Sequence, residues 1–154
     1  VLDIPSVRSL PAQHVAVVPL ALAPDEVPAA MPEAIGELLR ALAVQGVAPA
    51  GPLFSYHAEP PGAWWCFEVG IAVREPVASM GRVRPGALRA TRAACATYRG
   101  SYEGLGAAWG EFTAWIEASG LVPAPDLWER YLRGPESGAD ARHWCTEFVR
   151  PLAD

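Results

Sequence analysis

The sequence predicts an α+β fold built as a tandem, pseudo-two-fold repeat of strand-helix-strand-strand units, its antiparallel sheet carrying two helices on one face. Three observations carry this. The word W-C-x-E occurs twice, with Trp65, Cys66 and Glu68 recurring as Trp144, Cys145 and Glu147, each 79 positions later. A helical stripe with a glycine stop also occurs twice: Ile35, Leu38, Leu42 and Gly46 map onto Trp109, Phe112, Ile116 and Gly120 at a constant offset of 74. Apolar segments of strand length flank each stripe in the same order.

The elements follow in turn. Ser6–Leu10 reads as a short first strand, closed by a turn at Pro11. Gln13–Leu22, QHVAVVPLAL, has the β-branched texture of a buried strand. Met31, Ile35, Leu38, Leu39 and Leu42 then share one helix face, and Gly46 stands where a C-terminal cap glycine belongs. Leu53–His57 and Trp64–Val73 form a hairpin about the turn Pro60–Gly62. Arg74–Leu88, rich in Arg, Pro and Gly, connects the copies and has room for a short strand near Arg82–Arg84.

In the second copy Ala90–Tyr98 is a strand, and Tyr102, Leu105, Trp109, Phe112 and Ile116 make the helical stripe. Leu127–Leu132 and Ala141–Val149 are paired strands joined by the loop Gly134–Gly138. The whole chain, 1–154, is read as a single domain, with repeat one at about 1–75 and repeat two at about 82–154.

Composition narrows the function classes. A net charge of −5 argues against direct contact with nucleic acid, which needs a basic surface to displace counterions. No apolar run reaches the roughly 18 residues that a membrane span needs. Three cysteines, Cys66, Cys95 and Cys145, contain no C-x-x-C pair, so a reducing cytoplasm is the expected compartment. His14, His57 and His143 are scattered without metal-ligand spacing, and neither a metal nor a cofactor is expected.

With both helices on one side, the opposite sheet face is expected to be free and to carry the function. Strand alternation sorts its residues, provided the two copies are aligned. One register, set by the equal spacing of Tyr56–Pro60 and Tyr131–Pro135, pairs Tyr56 with Tyr131 and Phe54 with Glu129. A competing register counted from Gly46 and Gly120 pairs Ser55 with Glu129. The tyrosine register is preferred because it keeps a bulky aromatic in both copies. It gives a free-face set of Phe54, Tyr56, Trp65, Glu129, Tyr131 and Trp144. Aromatic walls around one carboxylate suit a flat, lipophilic, often cationic molecule. Trp109, Phe112 and Ile116, on the helix stripe, are expected in the core. Glu68 and Glu147 are either solvated or paired with arginine.

The segments ATYRGSYEGLGAAWGEFTAWIEASG, WERYLRGPE and HWCTEFVRPL resemble the C-terminal half of GyrI-like small-molecule-binding domains. LPAQHVAVV and GPLFSYHAEPP resemble the start of such domains. The resemblance implies a tandem α+β repeat that binds drugs or other xenobiotics, with Glu129 as the pocket carboxylate, Tyr131 beside it and Trp144 as a pocket aromatic on the last strand. It also implies two alternatives. In one, the protein is a hydrolase of cyclopropane-bearing DNA-alkylating natural products, with Glu129 as the catalytic residue that activates water. In the other, it is the detached effector domain of a transcription regulator. The expectation from this chain is a stand-alone member, since no helix-turn-helix precedes the domain. Its expected partner is a small aromatic or cationic ligand, and exposed sheet edges leave room for a homodimer.

Overall fold

The computed structural model describes residues 1–135 and 138–153. Its elements run β1 (Ser6–Leu10), β2 (Gln13–Leu22), α1 (Val27–Gln45), β3 (Pro49–His57), β4 (Trp65–Val73), β5 (Arg84–Leu88), β6 (Thr91–Arg99), α2 (Leu105–Ala118), β7 (Leu127–Arg133) and β8 (Cys145–Pro151). Each half is therefore an α+β unit with the expected strand-helix-strand-strand order, preceded by one further short strand. Glu136 and Ser137, in the loop expected between β7 and β8, lie outside the described residues. The last strand is shorter at its start than its sequence suggests. Ala141–His143 form a 3-10 turn, because the Asp140 side chain accepts a hydrogen bond from the Arg142 backbone N–H and caps it.

The chain packs as two compact units, Pro11–Ala90 and Val1–Leu10 with Thr91–Asp154. In the first, four antiparallel strands lie in the order β3-β4-β2-β5. In the second the order is β1-β6-β8-β7. The first ten residues thus leave their own repeat: Ser6 lies opposite Cys95 and Leu10 opposite Thr91. Reciprocally, β5 returns to pair Gln13 with Leu88.

In the Pro11–Ala90 unit, α1 lays Ala34, Leu38, Ala41 and Leu42 on a sheet face made by Ala16, Val18, Leu20, Phe67, Val69, Ile71 and Val73. The φ of +66° at Gly46 ends that helix in the left-handed conformation that glycine adopts without strain. On the other sheet face Phe54 is 2% exposed. A Cβ added at Gly70 would lie 2.7 Å from the Phe54 ring and 2.8 Å from the Ala16 carbonyl oxygen.

In the other unit, Ala108, Phe112 and Ile116 of α2 pack on Ala94, Ala96, Tyr98 and Phe148. The opposite face carries an ionic fastening. Glu147 on β8 binds Arg8 of β1 at 2.6 Å and Arg130 of β7 at 3.0 Å, so one acid links three strands. Glu147 is therefore paired with arginine. No helix among the described residues is long and apolar enough to cross a membrane.

Two substitutions test this packing. Gly70→Ala should destabilise the protein by about 1–3 kcal/mol in urea unfolding, because the Ala16 backbone cannot move aside. Phe148→Ala, at a fully buried ring, should cost about 3–5 kcal/mol by the same measurement.

Candidate functional site

The site begins with the alternation of β7. Glu129 lies opposite Phe148 and Tyr131 opposite Thr146, whereas Trp128 and Arg130 face Val149 and Glu147. Phe148 belongs to the core beneath α2. Glu129 and Tyr131 therefore stand on the helix-covered face, not on the free one.

A carboxyl group there needs donors, and the helix supplies one. Trp109 Nε1–H donates to Glu129 Oε2 at 2.6 Å, and the Tyr131 hydroxyl donates to Oε1 at 2.9 Å. Trp109 is itself fixed by stacking on Phe148, with centroids 4.4 Å apart and planes 13° from parallel. The next ring outward is Tyr102, edge-on to Tyr131 at 6.0 Å and tilted against Trp144 at 5.1 Å. Trp144 Nε1–H donates to the Gly138 carbonyl at 3.0 Å, which anchors the indole.

Tyr102 owes its position to a buried neighbour. The Tyr98 hydroxyl donates to the Ser101 carbonyl at 2.9 Å, fixing the 3-10 turn Tyr102–Gly104 that leads into α2. Any Cβ at Gly104 would collide with that hydroxyl.

Desolvation pushes the Glu129 carboxyl above the ordinary carboxylate range, while the bonds from Trp109 and Tyr131 pull the other way. Ionising Glu129 thus opposes folding. The stability present below the unfolded-state value is lost as pH rises through the raised one. An acid held in this way is poised to accept either a proton or a positive charge.

The structure divides the six residues that the sequence grouped on one face. Glu129, Tyr131 and Trp144 come together, with Tyr102 bridging the two outer rings. Phe54 and Tyr56 do lie on the face away from α1, where Phe54 fills the space above Gly70 and Tyr56 stands opposite Glu68. Trp65 is a correction: it shares the helix-covered face with Phe67 and packs against the α1 core.

Two errors are distinct: the face that carries Glu129 and Tyr131 is the one α2 covers, and the register that matched Phe54 and Tyr56 to them is off by one residue. Ser55 pairs with Val69 as Glu129 pairs with Phe148, so Ser55 is the counterpart of Glu129, and Tyr56 that of Arg130. Two site residues were placed only in the helical stripe, Trp109 and Tyr102. The available signal was chemical: an indole N–H only donates, and a helix tryptophan over an apolar strand with one acid has one obvious acceptor.

A family model for the GyrI-like small molecule binding domain matches residues 5–147. The chain belongs to this family. Among solved structures, this GyrI-like chain is similar to the C-terminal domain of EcmrR, at 17% identity and TM-score 0.86, covering 98% of both chains. It matches EcmrR in a DNA complex at 18% identity and TM-score 0.85, covering 99% of this chain but 58% of that one. It spans a little over half of that longer protein. SAV2435 bound to tetraphenylphosphonium is similar at 11% identity and TM-score 0.69, covering 98% of this chain and 94% of that one. A hydrolase from Listeria innocua is similar at 14% identity and TM-score 0.63, covering 97% and 91%. At these identities the likeness establishes the fold. No curated protein matches.

Trp109→Phe keeps the ring stacked on Phe148 but removes the donor. It should raise the Glu129 pKa further, as should Tyr131→Phe, read by carboxyl-carbon NMR across a pH titration. An unchanged midpoint in both would show that neither bond bears on the acid.

Proposed function

We propose that the site around Glu129 binds flat, amphipathic, chiefly cationic small molecules of the drug or xenobiotic type. The observation that carries this reading is a desolvated carboxyl framed by Tyr102, Trp109, Tyr131 and Trp144. Each ring face attracts a cation by roughly 0.5–2 kcal/mol. The acid supplies the opposite charge, and an incoming cation relieves the desolvation that burial imposes on it. The family match supports small-molecule binding. That a similar fold, SAV2435, holds tetraphenylphosphonium supports a cation of this kind here.

Charge and pH test the proposal together. Glu129→Gln should weaken rhodamine 6G binding by about 30-fold or more, the equivalent of ~2 kcal/mol for a lost buried charge partner. It should leave an uncharged analogue nearly unaffected in fluorescence titration. Affinity of the unaltered protein for the cation should rise with pH as Glu129 ionises, through a midpoint above the ordinary carboxylate range. The Glu129→Gln profile should be flat. Equal losses for charged and uncharged dyes would remove the electrostatic basis of the reading.

Hydrolysis of a strained, planar electrophile is the second reading, favoured by the raised pKa of Glu129 beside the Tyr131 hydroxyl. A carboxyl shifted toward neutrality suits general acid–base work. Glu129 would accept a proton as water oxygen bonds to a cyclopropane carbon, and the ring electron pair would pass into a conjugated carbonyl that is then protonated. Ring opening of a cyclopropane-bearing alkylator beyond one equivalent, followed by mass spectrometry and abolished in Glu129→Gln, is the expected result. Consumption that stops at one equivalent leaves binding alone. The effector domain of a regulator is a third reading, supported by the likeness to EcmrR.

A further inference from the structure

The corrected register gives four residues of the Glu129 site a counterpart in the Pro11–Ala90 unit. Offsets of 74 and 79 put Ser55 at the place of Glu129, His57 at that of Tyr131, Ile35 at that of Trp109 and Trp65 at that of Trp144. The acid is gone, and an imidazole stands two residues along on the helix-covered face.

His57 is 4% exposed. Its ring stacks on Phe67 at 5.0 Å with planes 17° apart, and meets Trp65 edge-on at 5.5 Å and 82°. Its Nδ1 is fully buried and has no hydrogen-bond partner among the described residues. A polar atom left unpaired in such surroundings is costly, and native proteins carry few of them. Packing alone does not account for it, since a phenylalanine would fill the same slot between two rings and leave nothing unsatisfied.

We propose that the Pro11–Ala90 unit holds a second ligand site, at His57 between Trp65 and Phe67, for uncharged aromatic molecules that carry one hydrogen-bonding group. The ligand ring replaces the edge-on indole of Trp65 against the imidazole, and its polar group pairs with Nδ1. Trp65 is the movable wall. It is half-buried, and its indole N–H is held by the Gly62 carbonyl, 3.1 Å away in the connection before β4. Turning it outward breaks that bond and opens the imidazole. Selectivity follows from charge: desolvation lowers the His57 pKa to about 4, so the ring is neutral at physiological pH and offers a cation no counter-charge. The two units would then divide ligands by charge, the acid site taking cations and the imidazole site neutral molecules. This inference does not depend on the Glu129 reading.

2-Naphthol and naphthalene, titrated by calorimetry at pH 7.5, test it. The unaltered protein should bind 2-naphthol at least tenfold more tightly than naphthalene. His57→Phe should abolish that preference while rhodamine 6G binding stays unchanged. Glu129→Gln should show the reverse, losing rhodamine 6G and keeping 2-naphthol, so failure of one site is distinguished from failure of the other. Should His57→Phe not fold, nitrogen NMR of the unaltered protein decides: 2-naphthol should move the His57 Nδ1 resonance. Absence of 2-naphthol binding, retention of the preference in His57→Phe, or an unmoved Nδ1 signal would each overturn the proposal.

Discussion

The structure of the site follows from one constraint: the face of β7 that bears Glu129 is the face that α2 covers. A carboxyl group under a helix cannot be left to water, so the helix must bring a donor. Only a long, rigid side chain reaches across while still packing, and Trp109 does both, stacking on Phe148 and donating to Glu129. Core and site thus share an element. The pair Trp109–Phe148 stabilises the unit by burial, and the same indole holds the acid whose desolvation works against folding.

The acids of the recurring W-C-x-E word have parted ways through their neighbours. Glu147 lies between Arg8 and Arg130 and fastens strands. Glu68 has Tyr56 where Glu147 has Arg130, and its carboxyl is pushed up by burial without that arginine. Duplication supplied identical words, and the residues across the ladder decided what each one does. The strands β3 and β7 diverge similarly: Ser55 and His57 stand where the other unit has Glu129 and Tyr131, and the helices present Ile35 in one and Trp109 in the other.

Periodicity was enough to read the elements. The stripes of Leu38 and Phe112 are long and end in glycines, so α1 and α2 were visible, and β2 announced itself by its β-branched run. Matching the two copies was harder, because a slip of one residue moves every side chain to the other side. Equal tyrosine-to-proline spacing in the two hairpins was a false guide. The connections after β3 and β7, residues 58–64 and 134–144, differ in length by four residues, so distances measured into them carry no register. Distance from the helix stop does carry it, because the path from helix end to strand is fixed by packing on the sheet. The unpaired nitrogen of His57 left no trace in the sequence at all, since it depends on which rings close around it.

The exchange of β1 and β5 between the repeats bears on how the molecule is made. Ser6 finds its place only beside Cys95, which the ribosome adds almost ninety residues later. During synthesis the leading segment emerges long before its partner exists, with its ladder groups open to water or to a neighbouring chain. Closing so wide a loop is slow. The hydrophilic character of that segment, SVRSL with its first four residues exposed, keeps it harmless while it waits.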